Sequence, residues 1–229
     1  MGTKITHGAC SVCILLAYTL AGGLASAQDD LPEVTDDGLQ KVESKRIDTL
    51  YWLPGASLAG YERIMILEPF VSFRKNWQRD QNRDRRGASR VDADDMERTR
   101  QALAAAFIEQ FTRVLEEDDG YEVVDSVGED VLLLRPAIVN LDVNAPDVMA
   151  AGRSDEFITS AGEMTLYLEL YDSATSALIG RAIDRRESHI PGSIRVAGSV
   201  TNRIEGERML RQWARILRDA LDDQWSADH

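Results

Sequence analysis

MTLYLELYDSATSALIGRAIDRR, residues 164–186, is the stretch that decides the fold. Its first half alternates with a period of two, as a strand with one buried face does, and the apolar positions are Met164, Leu166, Leu168 and Leu170. Residues 172–176 supply turn-forming side chains, and residues 178–185 return as a second strand. The stretch therefore predicts an antiparallel β-hairpin.

Three more segments predict strands. Residues 63–67 form a short apolar run that ends before Pro69, and residues 121–125 form another short run. Residues 131–142 are longer and contain Pro136, which has no N–H to donate to a sheet. This strand is therefore expected to have an edge or a bulge at Pro136.

Two amphipathic helices complete the pattern. Residues 96–117 and 202–224 each carry apolar side chains at spacings of three, four and seven, as a helix with one buried face does. The predicted fold class is α+β, with a mostly antiparallel sheet of about four to five strands and two long amphipathic helices packed on one face. We expect one domain over residues 49–225, after a flexible lead-in at 28–48 and with a long polar loop at 74–95.

Residues 1–27 have the organisation of a cleavable secretion signal. Lys4 precedes a mostly apolar stretch from Val12 to Leu24, and the small residues Ala25, Ser26 and Ala27 follow it. We therefore expect cleavage between Ala27 and Gln28. The alternative, an uncleaved membrane anchor, needs about 20 apolar residues to cross the hydrocarbon core, and this stretch is shorter and contains two glycines.

Both cysteines, Cys10 and Cys13, lie within this predicted signal. A bacterial lipoprotein needs a cysteine at the cleavage point after the apolar run, so we expect no lipid anchor and no membrane span after processing. A mature chain without cysteine also excludes disulfides, thiol nucleophiles and thiolate metal sites. The sequence therefore predicts an exported protein, located in the periplasm or associated with the outer envelope of a Gram-negative bacterium.

The charge of the chain limits its partners. The sequence carries 26 basic and 39 acidic side chains, a formal net charge of −13. Because Lys4 is the only charged residue of the predicted signal, the mature chain would carry 25 basic and 39 acidic side chains, or −14. A field of this sign disfavours binding to nucleic acid or to an anionic membrane through the overall charge of the chain.

No catalytic motif is present. Neither a glycine-rich phosphate loop nor the Gly-x-Ser-x-Gly elbow of serine hydrolases occurs. Only His189 and the C-terminal His229 remain after the predicted cleavage, so a histidine metal triad is excluded, and we expect no cofactor. A pair of carboxylates could still act as general acid and base, and the candidates are Asp142, Asp147, Asp155, Glu156 and Asp184.

Residues 74–90 are a basic segment in an acidic chain, with seven basic and two acidic side chains. They have no apolar period, and long loops of this kind are functional or disordered. The segment is either a flexible, solvated insertion or a contact for an anionic partner, and we expect its deletion to leave the fold intact. The candidate contact residues are Arg74, Lys75, Trp77, Arg79, Arg83, Arg85 and Arg86, with Arg185 and Arg186 at the exit of the hairpin.

The chain also resembles a known family. The stretches LYWLPGASLAGYERIMILEPFVSF, YEVVD, LLLRPAIVNLDV and LYLELYDSATSALIGRAIDRR, with a closing helix that contains a tryptophan, are similar to the bacterial family catalogued as domain of unknown function 3313. The resemblance covers roughly residues 35–225 and implies a lipoprotein-like envelope protein. Many members carry a lipid-anchoring cysteine, which this sequence lacks, and no catalytic residue can be transferred from the family.

These observations favour a non-enzymatic accessory or partner-binding protein of the cell envelope, which contacts another envelope protein or an anionic envelope component. Two loops, at residues 74–90 and 144–162, are the expected contact segments. Two alternatives stay open. One is a carboxylate-dependent hydrolase acting on envelope glycan, and the other is a periplasmic protein that binds a small ligand or a lipid.

Overall fold

A computed structural model describes residues 31–143, 162–187 and 199–227. The chain divides after Leu31, and every element named below belongs to the unit that begins at Pro32. The predicted signal peptide, with its cleavage point between Ala27 and Gln28, lies outside the described residues, as do residues 144–161 of the second predicted contact loop.

Eight strands form one sheet in the described part of the chain. Along the sheet their order is β1-β2-β8-β7-β6-β3-β5, and β4 pairs with β6 beyond the end of β3. The strands are β1 (Gln40–Val42), β2 (Thr49–Trp52), β3 (Arg63–Ile66), β4 (Phe70–Phe73), β5 (Glu122–Val124), β6 (Val131–Asp142), β7 (Glu163–Asp172) and β8 (Leu178–Glu187).

The predicted sheet of four to five mostly antiparallel strands is wrong. From β1 through β2, β8 and β7 to β6, each strand is antiparallel to the next, but β3 is parallel to both β5 and β6, and β4 is parallel to β6. The parallel pairs arise because a long helical crossover separates β4 from β5, which returns the chain to the same end of the sheet. The sheet is therefore mixed.

Three helices accompany the sheet in the described residues, and only two of them are long. They are α1 (Trp77–Gln81), α2 (Ala93–Leu115) and α3 (Ser199–Ala227). Helix α2 begins three residues before the predicted position because Asp92 caps it. The Asp92 carboxylate accepts a hydrogen bond from the Asp95 amide at 2.8 Å, and Asp95 accepts one from the Asp92 amide at 2.9 Å.

The core lies between α2, α3 and one face of the sheet. The alternating residues of β7 that the sequence marks as apolar are buried there, together with Phe107, Phe111 and Trp213. The rings of Phe107 and Phe111 stack with centroids 3.9 Å apart, one helical turn from each other. The pattern that predicts the hairpin thus also fixes which face of the sheet the helices cover.

The predicted flexible lead-in at 28–48 has a different structure in its described part. Leu39 is completely buried, and the strand that follows it, β1, pairs with β2 at the edge of the sheet. The hydroxyl of Tyr51 donates to the carbonyl of Pro32 at 2.9 Å, which ties the segment to β2. The segment has no long apolar run, so hydrophobic periodicity does not predict that β1 pairs with β2.

The predicted loop at 74–95 is also more structured than expected. It contains α1, a 3-10 turn at Gly87–Ser89 and the first residues of α2. Trp77 is only 1% exposed, its ring stacks on Phe73 at 4.2 Å, and its indole N–H donates to the carbonyl of Val143 at 2.7 Å. Because Trp77 belongs to the core, we now expect deletion of residues 74–90 to destabilise the fold.

Candidate functional site

Helix α3 is fastened to strand β8 by a buried carboxylate. Asp184 is 4% exposed and accepts three hydrogen bonds, from the Trp213 indole N–H at 2.7 Å, the Asp48 amide at 2.9 Å and the Arg186 guanidinium at 2.8 Å. The Arg186 guanidinium also lies 5.7 Å from the centroid of the Trp213 ring. This cluster fixes the spacing between α3, β8 and the segment that precedes β2.

That segment, residues 44–48, is held against both elements. The Asp48 carboxylate accepts a hydrogen bond from the Arg185 amide at 2.9 Å, and Arg46 forms an ion pair with Asp219 of α3 at 2.6 Å. Residues 44–48, the end of β8 and one side of α3 therefore form three walls of a groove, which we call the α3 groove.

The mouth of the α3 groove is basic. Its two adjoining cavities have volumes of about 580 and 490 Å³, and together six basic and four acidic side chains line them. Lys45 and Arg215 are exposed and form no ion pair within the described residues, so their charges face the mouth without a partner there. The charged lining residues are Lys45, Arg46, Arg185, Arg186, Arg208, Arg215, Asp48, Asp184, Glu187 and Asp219.

An apolar cleft continues from this mouth between α3 and the edge of the sheet. Its volume is about 320 Å³, and Arg46 and Ile216 line both the cleft and the mouth. Strand β2 forms the outer wall, because α3 covers β7 and β8 but leaves Leu50 and Trp52 half-exposed. Its apolar lining residues are Ile47, Leu50, Trp52, Leu58, Leu166, Leu168, Leu170, Ala182, Trp213, Ile216, Leu217 and Ala220.

Two contacts hold the Trp52 side chain in the outer wall of the cleft. Its indole N–H donates to the carbonyl of Ala56 at 3.0 Å. Its ring lies directly over Gly180, where an added Cβ would come within 2.5 Å of the ring. Glycine at this position of β8 therefore allows the ring to lie close against the strand.

Of the contact residues predicted from the sequence, the structure brings Arg185 and Arg186 to the α3 groove. The guanidinium of Arg185 turns away from helix α3 and pairs with Glu163 at 2.6 Å and with Glu187 at 2.5 Å. That of Arg186 is bound by Asp184. Both arginines thus shape the mouth, but their charges are already shared with carboxylates.

The seven predicted contact residues between 74 and 86 do not line this groove. Arg74 is bound internally, to Asp80 at 2.8 Å and to Asp142 at 2.6 Å, and the same two carboxylates raise its pKa. Arg79 and Arg83 are more than 70% exposed and share Asp80. Lys75 and Arg86 are exposed, whereas Arg85 is half-exposed. This segment forms a second, separate basic surface.

The carboxylates considered for hydrolysis have other partners where they are described. Asp142 is bound by Arg74, and Asp184 by the three donors at the base of α3. Asp147, Asp155 and Glu156 lie outside the described residues, as do His189 and His229. Within residues 31–143, 162–187 and 199–227, no three His, Cys, Asp or Glu side chains lie close enough to hold a metal ion.

Apart from Arg185 and Arg186, sequence reasoning did not assign the residues that line the mouth and the cleft to a binding site. Lys45 and Arg46 fall in a segment interpreted as a flexible lead-in, and the basic side of α3 went unused. The available pattern was Arg208, Gln212 and Arg215, which recur at four and three residues and so share one side of a helix. This spacing predicts that the three side chains lie on one side of the helix. It does not predict the groove, because the groove forms only where β2 pairs with β8.

The family of the chain follows from the sequence that builds this site. Residues 33–217, which include the strands, α2 and most of α3, match the model of DUF3313, described as a protein of unknown function. The chain belongs to the DUF3313 family. The predicted resemblance is thereby confirmed. No curated protein matches the sequence of this DUF3313 protein.

Three of the solved structures that match this chain are compared with it by sequence identity, coverage and TM-score. A dodecameric PelC from Paraburkholderia phytofirmans is 10% identical, with 72% of this chain and 95% of that chain covered and a TM-score of 0.36. A DUF330 protein from Xanthomonas campestris is 13% identical, with 77% and 93% covered and a TM-score of 0.38. A Helicobacter pylori protein described as a homologue of a neuraminyllactose-binding hemagglutinin is 12% identical, with 73% and 89% covered and a TM-score of 0.30. No functional inference follows at these TM-scores.

Proposed function

We propose that this DUF3313 protein is an exported, non-enzymatic binding protein of the cell envelope, and that it holds an anionic partner at the α3 groove. The observation that carries the proposal is the reversal of charge at the groove. Six basic and four acidic side chains line the mouth in a chain whose net charge is −13. A local field of this sign attracts an anion, although the chain as a whole is acidic.

Two cationic side chains of the mouth are available to a partner. Lys45 and Arg215 are exposed on facing walls, one on the segment before β2 and the other on α3. The other cations of the mouth, such as Arg46 and Arg186, are held in ion pairs that fix the walls. A phosphate or carboxylate between Lys45 and Arg215 would therefore bind without breaking the pairs that support the groove.

The envelope location rests on the predicted signal over residues 1–27 and on the family resemblance. Among the described residues, no helix is long and apolar enough to cross a membrane. With Cys10 and Cys13 placed ahead of the predicted cleavage point, we propose export without a lipid anchor, to the periplasm or the outer envelope.

The hydrolase alternative is not favoured by the groove. Its two central carboxylates, Asp48 and Asp184, accept hydrogen bonds from main-chain amides, and Asp184 also accepts from Trp213 and Arg186. A general acid must hold a proton that it can donate. Carboxylates whose oxygens receive N–H donors serve instead as acceptors that fasten the walls together.

Charge reversal at the mouth tests the proposal. The double variant Lys45→Glu with Arg215→Glu is expected to lose at least tenfold in the yield of partner that is crosslinked to the mature protein in its native envelope, because attraction becomes repulsion. Mass spectrometry of the captured material measures the yield.

The matched control is Lys75→Glu with Arg83→Glu, the same change of charge on the basic surface at 74–90. Both residues are exposed, so neither pair of substitutions should alter the fold. Retained capture in the control is expected. Loss of capture in the control and not in the groove variant would transfer the binding site to the 74–90 surface and overturn the proposal.

A further inference from the structure

The α3 groove has two chemically different parts in direct continuity, and this inference rests on the proposed function. The mouth is charged, whereas the cleft lining is mostly apolar, from strands β2, β7 and β8 and from helix α3, with Ser44, Arg46, Arg181 and Asp223 as its polar members. Arg46 and Ile216 line both the cleft and the mouth, so a molecule can extend from one part into the other. We propose that the groove takes a lipid with a single acyl chain and an anionic head group.

The dimensions of the cleft fit one hydrocarbon chain. Its volume of about 320 Å³ lies at the lower end of the range for small-molecule sites. The part of α3 that lines it, from Trp213 to Asp223, is about 15 Å long at the rise of an α-helix. A mostly apolar cleft of this volume and length suits a single chain and leaves no room for a second one.

Charge complementarity determines the head group. A chain seated in the cleft points its polar end toward Ile216 and Arg46, where the mouth begins. Lys45 and Arg215 lie at this end, and both lack an ion pair among the residues that the structure describes. An ammonium and a guanidinium bind a phosphate group well, and Arg215 can bind two of its oxygens at once.

A peptide segment of a partner protein fits the cleft less well than a hydrocarbon chain does. The outer wall is strand β2, which already pairs with both β1 and β8, so the cleft offers no free strand edge to a peptide. The cleft walls also supply few polar groups for a peptide backbone, which needs partners for its N–H and C=O groups. A hydrocarbon chain has no such requirement.

The test is the binding of myristoyl lysophosphatidylglycerol, below its micelle concentration, to the full mature protein, followed by Trp fluorescence. Trp52 and Trp213 line the cleft, so a seated chain should change their emission in a saturable way. The zwitterionic lysophosphatidylcholine of equal chain length should bind at least fivefold more weakly. Glycerol phosphate, which has the head group and no chain, should not bind measurably.

The cleft is blocked by Ala220→Phe. Ala220 is exposed on α3 and lines the cleft, so the ring is expected to occupy the space of several methylene groups and to weaken lysolipid binding more than tenfold. Ala105→Phe, at an exposed position of α2, is the matched control and should bind like the wild type. Unchanged binding in Ala220→Phe, or equal binding of both lipids and the bare head group, would overturn the inference.

Failure of this inference is distinguishable from failure of the proposed function. If lysolipid does not bind but the Lys45→Glu, Arg215→Glu variant still loses its crosslinked partner, the groove binds an anion that is not a lipid, and the lipid inference is overturned alone. If Lys45→Glu with Arg215→Glu removes the preference for the anionic lipid and Ala220→Phe removes binding of both lipids, the inference holds.

Discussion

Replacing Asp184 by alanine is expected to lower the free energy of unfolding by about 3–5 kcal/mol, since removing one partner of a buried ion pair leaves the other without compensation. The carboxylate is 4% exposed, and Arg186, which it binds, has a side chain that is only 17% exposed. The Trp213 indole and the Asp48 amide would each lose an acceptor as well. Urea denaturation followed by circular dichroism measures the loss.

Asp219→Ala is the matched control for Asp184→Ala. Asp219 also pairs with an arginine across the groove, at 2.6 Å, but both side chains are more than half exposed. Exposed pairs contribute about 0–1 kcal/mol, so the control should be nearly as stable as the wild type. Equal losses in the two variants would show that Asp184 does not fasten α3 to the sheet.

Replacing Trp77 by alanine is expected to cost about 3–5 kcal/mol, the range for removing a large buried aromatic side chain. The ring stacks on Phe73, and its N–H donates to the carbonyl of Val143, so the variant also leaves a buried acceptor without its donor. The midpoint of chemical denaturation measures the effect.

Arg79→Ala is the control, two residues along α1 and 71% exposed in its side chain. It should change stability by less than about 0.5 kcal/mol. If Trp77→Ala is as stable as Arg79→Ala, then residues 74–90 are an insertion that the core does not need, as the sequence alone suggests.

The hairpin and α2 could be predicted because each follows one period over many residues. Residues 164–170 alternate strictly, and the strands found, Glu163–Asp172 and Leu178–Glu187, lie within two residues of the predicted ones. Helix α2 repeats its apolar positions over six turns. In long segments of this kind the hydrophobic period is clear enough to identify the helix or strand from the pattern alone.

The sequence also predicts β3, β5 and β6 as apolar runs, but β1, β2, β4 and the order in which the strands pair could not be predicted. Strands β1, β2 and β4 have three or four residues each, too few to show a period. Pro69 separates β3 from β4, and both pair with the single long strand β6, so the chain resumes a strand after an apparent stop. These pairings depend on distant partners, which no local pattern contains.

The same reason explains why the sequence did not reveal the site. Lys45 and Arg215 are 170 residues apart in the chain and line the same cavity only because β2 pairs with β8 while α3 lies over β8. By contrast, the arginines of residues 74–90 are conspicuous because they are clustered within one short segment. In the folded chain Asp80 and Asp142 bind the first of them, Arg74.

The groove is tested most directly by a photo-activatable benzoylphenylalanine at Gln212, which is exposed and lines the mouth. Glu109, exposed on α2, carries the same group in the control. Illumination of cells that contain either form should give one discrete adduct from Gln212 and none from Glu109. The absence of an adduct at Gln212, or the same adduct from both positions, would contradict binding at the α3 groove.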